Sequence, residues 1–439
     1  MNFFIKERIK KIAEDEVPEG YIQTLSGIVP SDWSQYSFGD IYTERKEPGR
    51  DDLPLLMVSI HSGVSDGEVG EDDLPKKVKR IEDKSQYKRA ATGDLVFNMM
   101  RAWQGAIGTV RTEGMVSPAY IVAKPDNRVY PLFMDYYVRM PRIINQIDRQ
   151  SYGVTDFRKR LYWDSFAPIC CSLPSVQEQQ KIAAIFTTQD KVIELKEKLL
   201  AEKQQQKKYL MQQLLTGKKR LPGFSGEWGS ERLGKLFSER KETKCETLDM
   251  LAITGTQGII PRKELDLKDN SSEDKSKYLK ICVGDIGYNT MRMWQGISAY
   301  SNYEGIVSPA YTILKPNGNI NAKYFAYLFK MPEIVFLFYR FSQGLVDDTR
   351  NLKYENFKKI KVLYPKDEQE QTAIVEVLST ADHEIDLLQK DIEQEKQSKR
   401  LTKQRTCQTR SPSERIIPCN GRVILRAVSK IHGHSEKIH

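Results

Sequence analysis

The sequence predicts an α+β protein, mixed α/β in character, built from two similar domains in a pseudo-two-fold arrangement, each followed by a long helix. Three observations predict it. First, Met100-Arg101-Ala102-Trp103-Gln104-Gly105 returns 191 residues later as Met291-Arg292-Met293-Trp294-Gln295-Gly296, and Val116-Ser117-Pro118-Ala119-Tyr120 returns unchanged as Val307-Ser308-Pro309-Ala310-Tyr311. Second, Gly93-Asp94 and Gly284-Asp285, Lys124-Pro125 and Lys315-Pro316, and Met140-Pro141 and Met331-Pro332 keep the same offset, so no net insertion separates the copies between these points. A repeat this long is a whole domain, not a solenoid unit of about 20 to 50 residues. Third, each copy ends in a proline (Pro174, Pro365), then a Glu- and Gln-rich opening, then a long run with helical spacing.

Taken in order, residues 1–29 form a lead segment and residues 30–174 the first domain. Short apolar runs there, such as Leu55 to Ile60, Leu95 to Phe97 and Ala119 to Val122, are bounded by Gly, Pro, Asp and Asn, which reads as strand and turn. Residues 175–217 are the first long helix. No Pro or Gly interrupts Glu178 to Thr216, and Ile182, Phe186, Ile193 and Leu200 lie on one seam before the stop at Gly217. Residues 218–365 form the second domain and residues 366–400 the second helix, whose seam is Ile374, Leu378, Ile385 and Ile392. Matching stripes on two such helices predict that they pack on each other as a coiled coil. The second helix lacks the apolar ending of the first: Thr406 stands where Leu214 stood. It is expected to stop near Arg400, with residues 401–439 a disordered tail read out of frame or fused; either Leu210, Leu214 and Leu215 then face water or tail and the coiled coil is weakened, or the truncation is tolerated.

Charge and composition narrow the function. Apolar residues at 39% and charged residues at 29% suit globular domains, and the longest apolar run, Ile334 to Phe338, is far short of a membrane span. The opening residues lack the apolar core of a signal peptide, and the six cysteines show no Cys-x-x-Cys, so the cytosol is the expected compartment. The net charge of +9 favours an acidic partner, nucleic acid above all. Residues 401–439 hold eight basic residues against two acidic ones, so six of those nine charges lie in the tail.

Catalytic motifs are absent from the sequence. It has no Gly-x-x-x-x-Gly-Lys-Ser/Thr, no Gly-x-Gly-x-x-Gly, no His-Glu-x-x-His, no Gly-x-Ser-x-Gly and no Asn/Asp-Pro-Pro-Tyr/Phe, and the acidic pair Asp347-Asp348 reads as a solvated turn. No residue is assigned a catalytic role and none a metal. The repeat retains Arg, Trp and Gln together instead. Arg grips a guanine edge or a phosphate, Gln an adenine edge, and Trp packs on sugar or base. Arg101, Trp103 and Gln104 with Tyr120, and Arg292, Trp294 and Gln295 with Tyr311, are the candidate DNA contacts; the competing readings are core anchoring for the tryptophans, structural hydrogen bonding for the arginines and glutamines, and ordering of a loop into a strand for the Ser-Pro-Ala-Tyr segments. Between the copies, residues 49–91 and 243–280 diverge. Lys76, Lys77, Lys79, Arg80, Lys84, Lys88 and Arg89, and Arg262, Lys263, Lys275, Lys277 and Lys280, are candidate phosphate contacts there, or simply solvated charge.

Over residues 20 to 400 the chain resembles the specificity subunits of type I restriction-modification enzymes. The resemblance rests on the order domain, helix, domain, helix; on Gln180-Lys181-Ile182-Ala183; on Leu210-Met211-Gln212-Gln213-Leu214-Leu215-Thr216-Gly217; on Leu221-Pro222-Gly223-Phe224 with Trp228; and on Asn289-Thr290-Met291-Arg292-Met293-Trp294-Gln295-Gly296. It implies two target-recognition domains held apart by an antiparallel helix pair, each reading half of a split double-stranded DNA site. It also implies partners: two modification subunits that use S-adenosylmethionine to methylate adenine, and restriction subunits that use ATP and Mg to translocate and cut DNA. No cofactor is expected in this chain, nor activity on its own. Half-sites are expected about one duplex turn apart, near 34 Å, and partly palindromic. A helical protein-interaction scaffold without sequence-specific DNA binding is the alternative, and an autonomous DNA-modifying enzyme a third reading that lacks its motifs.

Overall fold

The computed structural model describes residues 7–8, 10–12, 14, 16–65, 84–155, 158–255, 257–265, 274–344, 346 and 349–406. Its contacts divide the chain into two units, Met1–Leu195 with Ile392–His439, and Lys196–Asp391. The first is organised on an antiparallel sheet of β1 (Tyr42–Arg45), β2 (Leu95–Asn98), β3 (Ile107–Thr109) and β4 (Tyr120–Pro125), in the order β1-β4-β2-β3. Strand alternation sorts its side chains. Leu95 and Phe97 of β2 and Ile121 and Ala123 of β4 enter the main core with Phe133, Tyr137 and Phe166, while Val96 and Val122 face a smaller core with Leu56, Val58 and Val116. Two helices follow, α1 (Pro131–Tyr137) and α2 (Pro141–Arg149), each opening on a proline whose missing N–H is no loss in the first turn. The helix α3 (Val176–Leu214) leaves this unit.

The second unit repeats the plan. Strands β5 (Phe237–Glu239), β6 (Ile286–Asn289), β7 (Ser298–Tyr300) and β8 (Tyr311–Pro316) order as β5-β8-β6-β7, with helices α4 (Ala322–Leu328) and α5 (Pro332–Phe341) after them and the long α6 (Glu368–Thr406) last. Ile286, Tyr288 and Leu314 enter the main core, and Ile313 faces the smaller one. A buried arginine–aspartate pair braces each sheet. Arg45 Nε donates to Asp94 at 2.6 Å, and Arg240 Nε donates to Asp285 at 2.7 Å. The carboxylates also accept the amides of Ala91 and Cys282, at 2.8 Å each, which explains why Gly-Asp stays at both positions. Burial pushes the Asp94 carboxyl up, with Arg45 opposing it.

The polar openings of the long helices are internal fasteners. Gln179 and Gln371 are fully buried. Gln179 accepts from Tyr130 N at 2.8 Å and donates to the Arg128 and Pro174 carbonyls; Gln371 accepts from Asn321 N at 2.8 Å and donates to the Pro365 carbonyl. Ile182 and Phe186 accordingly belong to the first unit's core, and Ile374 and Leu378 to the second's. Farther along, Ile385 and Ile392 are buried, and Ile193 and Leu200 half-buried. Within the first unit Lys399 of α6 pairs with Asp190 of α3. Within the second, Lys196 pairs with Asp391 at 2.9 Å, Lys203 with Glu384 at 2.8 Å, and Lys207 with Asp382. Numbers rise on one helix as they fall on the other, so the helices pair antiparallel.

Two expectations about the helix ends need correction. The second helix continues beyond Arg400 to Thr406, because Leu401 to Thr406 contains neither Gly nor Pro to break the ladder. Leu214 and Leu215 do not face water: they are 3% and 1% exposed, in the second unit's core beside Leu233 and Phe237, with Leu210 packed against it. The apolar ending of the first helix docks on the domain that follows it. Residues 407–439 lie outside the described residues.

Candidate nucleic-acid interface

The repeated Met-Arg-x-Trp-Gln-Gly segment forms the same turn twice. Asn98 Oδ1 accepts from Met100 N at 2.9 Å, and Asn289 Oδ1 from Met291 N at 3.0 Å. A 3-10 turn follows, Ala102–Gln104 and Met293–Gln295, closed by Gly105 at φ 102° and Gly296 at φ 77°. That left-handed backbone suits glycine, having no Cβ to clash. The indoles lock the turn from within: Trp103 Nε1 donates to the Met100 carbonyl at 3.1 Å and Trp294 Nε1 to the Met291 carbonyl at 2.9 Å. Both tryptophans are half-buried, and the residues between Arg and Trp, Ala102 and Met293, are fully buried.

With backbone and indole making the turn, Arg101, Gln104, Arg292 and Gln295 are left exposed. Met100 and Met291 beside them are 41% and 52% exposed. The Val-Ser-Pro-Ala-Tyr segment joins this surface. Met99 N donates to the Ala119 carbonyl at 3.1 Å, and Thr290 N to the Ala310 carbonyl at 3.3 Å, so the two conserved words of the repeat are neighbours in space. Tyr120 and Tyr311 are half-buried on this edge, and burial raises the Tyr120 phenol.

One aligned cation per unit belongs here and was not recognised in the sequence. Lys159 lies over the Trp103 ring at 4.9 Å and pairs with Asp148 at 2.7 Å. At the equivalent position Arg350 stacks over Tyr339 at 4.1 Å and donates to its hydroxyl at 2.8 Å, while Tyr339 meets Trp294 edge-on at 6.2 Å. Both cations adjoin antiparallel bridges, Tyr152–Arg160 and Gln343–Asn351. Ser151-x-Gly153 and Ser342-x-Gly344, at the same offset of 191, were the available signal.

Among the predicted phosphate-binding cations, Lys88 donates to the Tyr120 carbonyl at 2.7 Å, and Arg89 pairs with Glu47 and Glu113, so both have partners within the first unit. Lys280 pairs with Glu304 at 2.8 Å. Lys275 is half-buried over Tyr278 and shares a cleft with Asp249, Arg262 and Lys263, and Lys277 is exposed. Lys76, Lys77, Lys79 and Arg80 lie outside the described residues, as does Asp347-Asp348. Among the described residues no cluster of His, Cys, Asp or Glu could hold a metal, and no helix is long and apolar enough to cross a membrane.

Residues 227–396 match the family described as type I restriction modification DNA specificity domain. Among solved structures, the chain is similar to the HsdS subunit from Thermoanaerobacter tengcongensis, at 17% identity, covering 86% of this chain and 96% of that one with a TM-score of 0.46. The type I restriction-modification S subunit from M. genitalium aligns at 13% identity over 85% of this chain and 95% of that one, TM-score 0.51, a likeness of fold. A chain from a structure describing complex assembly and conformational transition of a type I R-M system gives 17%, 86%, 97% and 0.49. The matched region is the second unit with the helix after it, and the first unit repeats its turn, its buried Arg–Asp pair and its helix fastener. Residues 227–396 are thus similar to a type I restriction modification DNA specificity domain, and the first unit carries an internal copy of the same features.

Proposed function

We propose that each domain reads one half of a bipartite double-stranded DNA target through the surface around its Arg-x-Trp-Gln turn. The chain then scaffolds two modification subunits and the restriction subunits on that choice of sequence. The observation that carries the reading is the turn itself: the same backbone bonds are made twice, and both times they leave an arginine and a glutamine pointing outward. The pair of residue types that grips base edges is spared from folding. In this reading S-adenosylmethionine, ATP and Mg are used by the partner subunits, and this chain supplies specificity alone. Because the two turns share their chemistry, the half-sites are related on opposite strands.

Mapping of methylated adenines in cells carrying Arg101→Ala/Gln104→Ala or Arg292→Ala/Gln295→Ala tests this. Each double variant is expected to relax one half of the target and leave the other intact, with about 1–3 kcal/mol lost per base contact. An unchanged methylation pattern in both would reject the turn as the reading surface. A helical scaffold without DNA affinity predicts no dependence of binding on salt, whereas contacts to phosphates make log affinity fall linearly with log salt.

A further inference from the structure

A buried carboxylate of the first unit has no counterpart in the second, and a cavity lies in its place. In the first unit Asp135, 3% exposed, accepts from Thr109 N at 3.0 Å and pairs with Arg139 at 2.9 Å and Arg111 at 3.5 Å. Gly108 makes room for it: a Cβ there would lie 2.9 Å from Asp135 Oδ1. At the constant offset of 191, Asp135 becomes Ala326, Arg139 becomes Lys330, Leu132 becomes Lys323, Arg111 becomes Asn302 and Ile107 becomes Ser298. The acid is gone and a cation remains.

The space is a cavity of about 380 Å³ lined by Ser298, Asn302, Lys323, Ala326 and Lys330, together with Lys207 and Asp382. Asp382 is the one acidic residue of that lining among the described residues. It is already engaged by Lys207 and by the Tyr327 hydroxyl at 2.6 Å, so Lys323 and Lys330 face a space with no carboxylate left for them. The Ser298 side chain is 1% exposed and its hydroxyl has no partner. Lys330 donates to the Gly296 carbonyl at 2.7 Å, which ties the cavity to the closing glycine of the turn. Desolvation of its ammonium, with the Lys207 charge nearby, lowers its pKa to about 8, so it still carries its proton at pH 7.

We propose that this cavity binds a small oxyanion of the phosphate class, which supplies in the second unit the negative charge that Asp135 builds into the first. The site stands independently of how the turn reads DNA. Calorimetric titration of inorganic phosphate into the full chain at pH 7 and low ionic strength tests it. Saturable binding at one site is expected. Ala326→Asp, which restores the internal carboxylate, should weaken it about tenfold or more, and Lys323→Met several-fold. No saturable binding to the unsubstituted chain would overturn the proposal, as would equal binding by both variants. Repeating the titration with sheared duplex DNA present separates two sources of the same chemistry. Retained binding assigns the site to a free anion, and competitive loss assigns it to a phosphate of the DNA backbone.

Discussion

The two units agree where the chain must be held and differ where it meets something else. Both brace the sheet with a buried Arg–Asp pair, both fasten the helix with a buried Gln, and both close the turn with a left-handed Gly. A fourth device is shared. Tyr136 donates to Asp190 at 2.6 Å with Lys399 on the same carboxylate and 5.4 Å from the ring; Tyr327 does so to Asp382 at 2.6 Å with Lys207, 5.7 Å from its ring. Their differences lie elsewhere. Lys159 sits on Trp103 directly while Arg350 acts through Tyr339, and Asp135 fills what Ala326 leaves open. Duplication kept the frame and released the surface.

The hardest test of that equivalence is the brace. Arg45→Met and Arg240→Met each strand a carboxylate that is 2% exposed, and each should cost its own unit about 3–5 kcal/mol. Hydrogen exchange at the Ala91 and Cys282 amides, which rest on those carboxylates, should report the loss separately for each unit. Unequal losses would show that the braces differ in weight.

Smaller effects sharpen the comparison. Tyr136→Phe and Tyr327→Phe remove one charge-assisted hydrogen bond while leaving the lysine on the aspartate, so each should cost about 1–2 kcal/mol by denaturant unfolding. Arg101→Ala and Gln104→Ala should shift unfolding by no more than about 0.5 kcal/mol, since exposed side chains outside the turn's bonding carry little stability. A large loss would make them structural after all. The last difference is in pH. Lys330 has a folded pKa of about 8 against an ordinary 10.5, so the unfolded chain binds more protons between these values. Stability from this residue therefore rises as pH climbs through that window. Lys330→Met should flatten the rise in the second unit, read by denaturant unfolding across that pH window.

The duplicated frame was legible because its signals are local. The offset of 191 placed both turns, Gly105 and Gly296 marked their ends, and the absence of Gly and Pro allowed helices of 39 residues each. The pairings that finish the site were not legible, because they join residues far apart in the chain. Nothing near Lys159 announces Trp103, and Lys399 is 209 residues from Asp190. Lys88 and Arg89 looked like free cations because their partners, Tyr120 and Glu113, come from other strands and turns. The second helix outruns its apolar periodicity for a related reason: the stripe ends near Arg400, but backbone hydrogen bonding asks only that no residue forbid it.

The Tyr–Asp–Lys arrangement also sets an order in time. A ribosome that has released Lys207 has already made the cation awaiting Tyr327 and Asp382, so the second unit can close as soon as its own strands and helix emerge. Tyr136 and Asp190 emerge early, but their lysine is translated at position 399. The domain synthesised first is thus the last to be secured, and nascent chains arrested before that codon should present a folded but unfastened N-terminal half.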